Sequence, residues 1–280
     1  MNQLPPNPNP NRWLDKPVFK SIPAIKIETL ILTIILILSV VSRFAILGER
    51  VMSHDEVNHV VPSYELATGT GYTHDPITHG PFQFHLVALS YFLFGDSDFT
   101  SRIPAALFSI ATVAFVLFAF RRYIGRSGAL IAGFLFLISP YLLFYGRYTR
   151  NEAFVALFGV VTIYAVLNYL EKGKPAALYL LTAATALHFA TKETAYIYTA
   201  LLLVFLAFLF MDRISRARWP QLKARNTFML LLASAMILLL LAIGFGAWNY
   251  FDKPPAANFG GVSVLREEAQ IAEALPITSE

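Results

Sequence analysis

The chain has 280 residues, of which 56% are hydrophobic and only 14% charged, against roughly 25% charged in soluble globular domains. With a mean hydropathy of +0.55, this excludes an ordinary water-soluble protein. The net charge of +4 does not argue for nucleic acid, because Lys- and Arg-rich cytoplasmic loops give the same excess in a membrane protein.

Residues 1–26 are polar and rich in Pro and Asn, and are expected to form a flexible cytoplasmic tail. They lack the early apolar core and small-residue cleavage site of a signal peptide. The first apolar block, 27–47, therefore reads as an uncleaved anchor. Further apolar blocks follow at 103–120, 127–145, 153–170, 175–190, 194–211 and 227–249. A helix needs about 20 residues to cross roughly 30 Å of hydrocarbon, so these blocks predict about seven transmembrane helices in an all-α polytopic membrane protein. The run 81–95 is different. It is short, bounded by Pro81 and Gly95, and carries Gln83 and His85. Such a run is expected to be re-entrant or interfacial.

Charge sets the orientation. If 81–95 does not cross and the N-terminus is cytoplasmic, the cytoplasmic side receives 1–26, 121–126, 171–174 and 212–226. Those stretches hold 14 of the 22 Lys and Arg residues, whereas 14 of the 18 acids fall on the other side. Only the Lys and Arg bias carries the rule. The loop 48–101, the loop 146–152 and the turn 191–193 then share the extracytoplasmic face. Multi-pass insertion in the plasma (cytoplasmic) membrane is the expected location.

Those three loops carry the unusual polar residues. The first has His54, Asp55 and Glu56, an expected amphipathic surface helix over 57–67, and then Asp75 and His79. The second has Arg147, Arg150 and Glu152 where one span ends and the next begins. Ionisable groups at that depth are costly unless paired and commonly mark a substrate path, although snorkelling arginines are the simpler reading of Arg147. The third has Lys192 and Glu193, either a salt-bridged turn or a cation for a lipid-linked phosphate with Glu193 orienting it. Carboxylates can act as general base on an acceptor hydroxyl. Arg and Lys can hold a phosphate leaving group. The spacing His54-Asp55-Glu56-x-x-His59 is not a zinc-protease pattern. No cofactor is required by the sequence; if a divalent ion is used, oxygen ligands at Asp55 and Glu152 would suit Mg²⁺ or Mn²⁺. With no cysteine, disulfides and thiolate metal sites are excluded.

In order, HDE, HDPITHGPF, FGDSDFTSRIPAALF, SPYLLFYGRYTRNE and ATKETAY resemble the protein O-mannosyltransferase-like members of the GT-C glycosyltransferase superfamily. The likeness is greatest to the prokaryotic branch of flippase activity-associated proteins and runs over about 27–250. The resemblance implies a seven-helix N-terminal module over 27–249 and a polyprenyl- or dolichyl-phosphate sugar donor used on the extracytoplasmic face. It implies catalytic roles for Asp55, Glu56 and Glu152. Donor-phosphate or substrate contacts are expected at His54, Asp75, His79, Arg147, Arg150, Lys192 and Glu193. The expected partners are the lipid-linked sugar, membrane lipid and an extracytoplasmic protein or glycan acceptor, with no nucleic acid. Relatives usually continue further, so the polar 250–280 tail, expected outside, reads as a truncation or the end of a minimal module. A flippase-associated or transport protein is the alternative; it would need charges along a crossing path, whereas the sequence reading finds none deep within the spans.

Overall fold

The computed structural model describes residues 12–19, 22–74 and 79–251. A 3₁₀ turn, Arg12–Asp15, precedes the hairpin strands β1 (Pro17–Phe19) and β2 (Ile22–Lys26). Ten helices follow among the described residues. They are α1 (Ile27–Phe44), α2 (His54–Thr68), α3 (Phe82–Phe94), α4 (Asp98–Ala119) and α5 (Arg121–Ile138), then α6 (Pro140–Tyr145), α7 (Glu152–Lys172), α8 (Pro175–Phe189), α9 (Thr194–Arg216) and α10 (Leu222–Phe251). The protein is an all-α polytopic membrane protein. Five helices, α1, α4, α7, α9 and most of α10, are long and apolar enough to cross a bilayer. With α8 and the α5–α6 pair, the helices fill the seven expected blocks.

Residues up to Phe208 form one compact unit and those from Leu209 a second. In the first, α4 is central and packs against α1, α3, α5 and α7, while α8 packs on α7. Leu14, Ile35, Val113, Leu117, Leu130 and Leu137 form a buried apolar cluster. In the second unit, Trp219 lies against Phe228 across the turn into α10.

The stretch expected as a flexible tail holds ordered structure over its described part. Leu14 is fully buried. Asp15 accepts two hydrogen bonds from Arg126 at 2.8 Å, and Arg126 also binds Glu28 of α1. The aliphatic anchor and this charged clamp fasten the hairpin to α1 and α5.

The break between α5 and α6 follows from one residue. Pro140 has no N–H to give the Phe136 carbonyl, so α5 stops there. Ser139 caps the restart as its hydroxyl accepts from the Leu142 N–H. The freed carbonyls of Phe136 and Leu137 are taken by Arg43 of α1, at 3.3 and 3.0 Å, and Arg43 is fully buried. Arg43 stands in the last turn of α1, so it is a buried charge at the end of a span and not deep within one. Arg43 also donates to Ser109 and Ser42. It closes a helix end and does not line a crossing path.

Candidate active site

The helix α2 begins at His54, three residues before the expected start, because Ser53 and Glu56 form a capping box. The Ser53 hydroxyl accepts from the Glu56 N–H, and the Glu56 carboxylate accepts from the Ser53 N–H at 3.2 Å. The pattern Ser-x-x-Glu is the signature of this cap.

Glu56 does more than cap. Arg102 of α4 grips it side-on, Nε and Nη2 each donating to one carboxylate oxygen at 2.8 and 3.0 Å. Both side chains are 0% exposed. Arg50 adds a third cationic donor at 2.8 Å, and the Thr149 N–H a further bond at 3.1 Å. Burial pushes the Glu56 carboxyl up, but bonds from Arg102 and from the Thr149 and Ser53 amides pull it further down, so it stays below the usual glutamate range. Its two oxygens accept five hydrogen bonds and leave no room for an acceptor hydroxyl. Arg102 also donates to the Leu47 and Arg50 carbonyls. This knot ties the end of α1, the start of α2, α4 and the 146–151 loop together. Arg102 and Arg50 were given no role from the sequence. The signal for Arg102 was present: an arginine inside an apolar helix needs a buried partner.

Asp55 is the next residue but faces outward, and its side chain is 54% exposed. Arg150 Nη1 lies 2.7 Å from Asp55 Oδ2, and Arg150 Nε lies 3.7 Å from Glu152 Oε2. Lys192 Nζ bonds the other Glu152 oxygen at 2.7 Å. Asp55 and Glu152 both sit in the first turn of a helix, where the helix dipole favours negative charge. The three expected loops therefore meet in one chain of alternating charge, Asp55–Arg150–Glu152–Lys192.

The first loop is locked to the third by Gly80. The Gly80 N–H bonds the Thr191 carbonyl at 3.1 Å, and the Phe82 N–H bonds that of Ala190 at 3.0 Å. A Cβ on Gly80 would stand 2.1 Å from the Ala190 oxygen, so only glycine permits this approach. The lock carries His79, at φ +75°, to Glu193, with Nδ1 to Oε2 at 2.7 Å. The His59 ring stacks near His79, centroids 6.3 Å apart. Burial first, then the Arg150 charge, depress the His59 imidazole to about 4, so it is neutral at pH 7.

Of the other expected residues, His54 is exposed at the head of α2. Arg147 donates to the carbonyls of Ser42 and Ala45, at 2.9 and 2.7 Å, capping the end of α1. Asp75 lies outside the described residues. Several buried polar atoms near this network have no hydrogen-bond partner among the described residues: His59 Nδ1, Arg150 Nε, Glu152 Oε2 and the amides of Gln83 and Asn151. His59, Gln83 and Asn151 were given no site role from the sequence, where His59 figured only in the rejected zinc pattern and Gln83 only as a polar residue of the 81–95 run.

Asp55 and Glu152 each have a cationic side chain at 2.7 Å, and no group of three His, Cys, Asp or Glu is arranged to hold a metal among the described residues. Chemically, the arrangement offers an accessible carboxylate as base beside a fixed arginine, with a second carboxylate behind.

The family model described as dolichyl-phosphate-mannose-protein mannosyltransferase matches residues 78–248. That range takes in His79, the 146–152 loop and Lys192, and begins after Asp55 and Glu56. No curated protein matches the chain.

Proposed function

Since this chain belongs to the dolichyl-phosphate-mannose-protein mannosyltransferase family, we propose that it moves mannose or another hexose from a polyprenyl- or dolichyl-phosphate donor to a protein or glycan hydroxyl. The reaction takes place on the extracytoplasmic face of the cytoplasmic membrane, with the N-terminus inside. The observation that carries this reading is the Asp55–Arg150–Glu152–Lys192 chain, built from three loops remote in sequence.

In this mechanism Asp55 accepts the proton of the acceptor hydroxyl. The hydroxyl oxygen attacks the anomeric carbon, and the carbon–oxygen bond to phosphate breaks. The polyprenyl phosphate leaves with the bonding pair. Arg150 aims the Asp55 carboxylate, and Glu152, anchored by Lys192, fixes Arg150. Glu56 keeps the loops in register and takes no proton. The first turn of α2 and the Arg150 guanidinium hold the base in place for the acceptor hydroxyl.

The test is sugar transfer by the purified full chain and its Asp55→Asn variant. Transfer falls by roughly 10²- to 10⁴-fold, the usual range for a positioned base, while thermal stability in detergent is kept. Full activity in a folded Asp55→Asn protein sinks the mechanism. Orientation is tested separately by single cysteines in this cysteine-free chain. Val51→Cys and Asp96→Cys label from outside and Lys174→Cys from inside; all three positions are exposed.

A further inference from the structure

The seam between α1 and the α5–α6 pair carries two hollows. The first, about 390 Å³, is lined from α1 by Ile31, Ile34, Ile35 and Leu38, and from α5 by residues that include Leu130 and Phe134. The α1 positions recur every three to four residues, so they form one helix face. The second hollow, about 430 Å³, lies further along the same seam. Its walls are Ile46, Leu47, Pro140, Leu143 and Phe144, and it adds two cations, Arg50 and Arg147. From Ile31 to Phe44, where α1 ends, the seam runs for roughly 20 Å at helical rise, about two thirds of the hydrocarbon thickness of one bilayer. The apolar lining of the first hollow thus leads along α1 towards two guanidiniums at the height of the active face.

Charge distinguishes this end from its neighbours. Two guanidiniums, Arg50 and Arg147, line the second hollow, and Glu56, the carboxylate bonded to Arg50, is already gripped by Arg102. The Asp55 network is richer in acids: three carboxylates, Asp55, Glu152 and Glu193, stand with Arg150, Lys192 and His79. An anion is drawn more strongly to the first end than to the second. A third hollow of about 380 Å³, between α7 and α9, is lined by Gly159, Val166, Tyr198 and Phe205 among others and has no charged residue. The cations of the seam are also held ready. Arg50 lies over the Tyr148 ring at 4.8 Å while one of its nitrogens holds Glu56. Arg147 is pinned by the α1 carbonyls. Both keep unused N–H donors.

We propose that this seam is the binding site of the donor lipid, with its apolar chain along α1 and α5 and its phosphate at Arg50 and Arg147. The phosphate then lies beside the Glu56 knot and not on Arg150 and Lys192, and the sugar reaches across to Asp55. The assignment of the lipid as sugar donor rests on the transferase reading; its place on the seam is tested without any sugar.

The probe is a polyprenyl phosphate with a diazirine in its chain, added to the full protein in phosphatidylcholine nanodiscs. Adducts are mapped by mass spectrometry, and sugar transfer is measured in parallel. Adducts are expected within 31–47 and 130–147. They drop about tenfold in Arg50→Gln/Arg147→Gln, as expected when charge-assisted phosphate contacts are lost. Because that pair also supports helix ends, Leu38→Trp and Leu143→Trp serve as second variants that fill the hollows; they lower seam adducts with the folded, monodisperse protein retained. Adducts concentrated at 159–167 and 198–205 overturn the proposal. So do seam adducts that survive both sets of variants, or that an equal amount of phosphatidylglycerol displaces, the mark of a general anionic-lipid site. Seam adducts without sugar transfer uphold the seam and remove the transferase reading. Transfer with adducts on α7 and α9 does the reverse.

Discussion

Asp55 and Glu56 are neighbours in sequence and opposites in structure. Glu56 is buried, gripped by Arg102 and Arg50, and accepts five hydrogen bonds. Asp55 is half exposed and holds one ion pair. The same contrast extends around each residue. Every oxygen position of the Glu56 knot is used, whereas in the network behind Asp55 the atoms Glu152 Oε2, Arg150 Nε and His59 Nδ1 make no hydrogen bond among the described residues, the first two meeting only as an ion pair at 3.7 Å. A buried polar group left unpaired costs about 1–3 kcal/mol. One cluster has spent its bonding capacity on the fold, and the other has kept it for a ligand. A carboxylate's chemistry is thus set by what already occupies its lone pairs, and adjacent acids need not share a task.

The sharpest way to break this comparison is Glu56→Gln. It leaves Arg102 buried with its charge unmatched, and breaking a buried pair from one side costs about 3–5 kcal/mol. The variant should lose stability and transfer together, read by thermal melting in detergent and by sugar transfer. A stable, inactive Glu56→Gln protein would instead give Glu56 a chemical role. Acid titration probes the same group. Its folded carboxyl lies below the ordinary value of 4.5, so its contribution is present above pH 4.5 and is lost as pH falls through the folded value.

His59 gives the next effect, on the open side of the comparison. Its folded imidazole titrates near 4 against 6.5 when unfolded. The unfolded chain therefore binds the proton first, and stability falls as pH drops from 6.5 towards 4. The loss approaches about 3 kcal/mol at the acid end. As pH drops from 7 through that window, the melting temperature of the wild type should fall relative to that of His59→Phe, because only the wild type has an imidazole that its unfolded chain protonates first. Parallel curves would show that another group governs the acid limb.

How much of this was legible beforehand differs by level. The helices coincide with the apolar blocks because bilayer thickness fixes span length, a constraint readable from composition alone. The convergence of Asp55, Arg150, Glu152 and Lys192 was readable because loops on one face share a small area. The different fates of Asp55 and Glu56 were not assigned. They depend on the phase of α2, which the Ser53 cap sets, and on Arg102 arriving from 46 residues away. Arg43 was missed for a related reason. Its partners are carbonyls freed by Pro140, and a backbone acceptor leaves no complementary charge in the sequence to look for.

Gly80→Ala tests the clasp that brings the first and third loops together. The added methyl meets the Ala190 carbonyl at 2.1 Å, and backbone displacement of this kind costs about 1–3 kcal/mol. The loss of transfer should exceed the loss of stability, because the movement separates His79 from Glu193 at the site while leaving the Glu56 knot intact. Equal transfer by wild type and a folded Gly80→Ala protein would mean that the 79–82 and 190–193 loops need not be held together for the reaction.

The smallest effect on stability should come from Arg150→Gln, and there the comparison is most exposed to failure. Arg150 bonds Asp55, whose side chain is 54% exposed, and an ion pair in that setting contributes about 0–1 kcal/mol. Its second contact, at 3.7 Å to Glu152, lies beyond hydrogen-bond range. The fold has little to lose. Transfer has more, since without the guanidinium the Asp55 carboxylate is free to rotate away from the acceptor. The variant should melt within about 1 kcal/mol of wild type and yet transfer sugar at least tenfold more slowly. Arg150→Lys should recover part of the rate, because an ammonium restores the charge but not the bridge between two carboxylates. If Arg150→Gln instead unfolds the protein as Glu56→Gln does, both clusters are structural, and the division between a filled knot and an open site disappears.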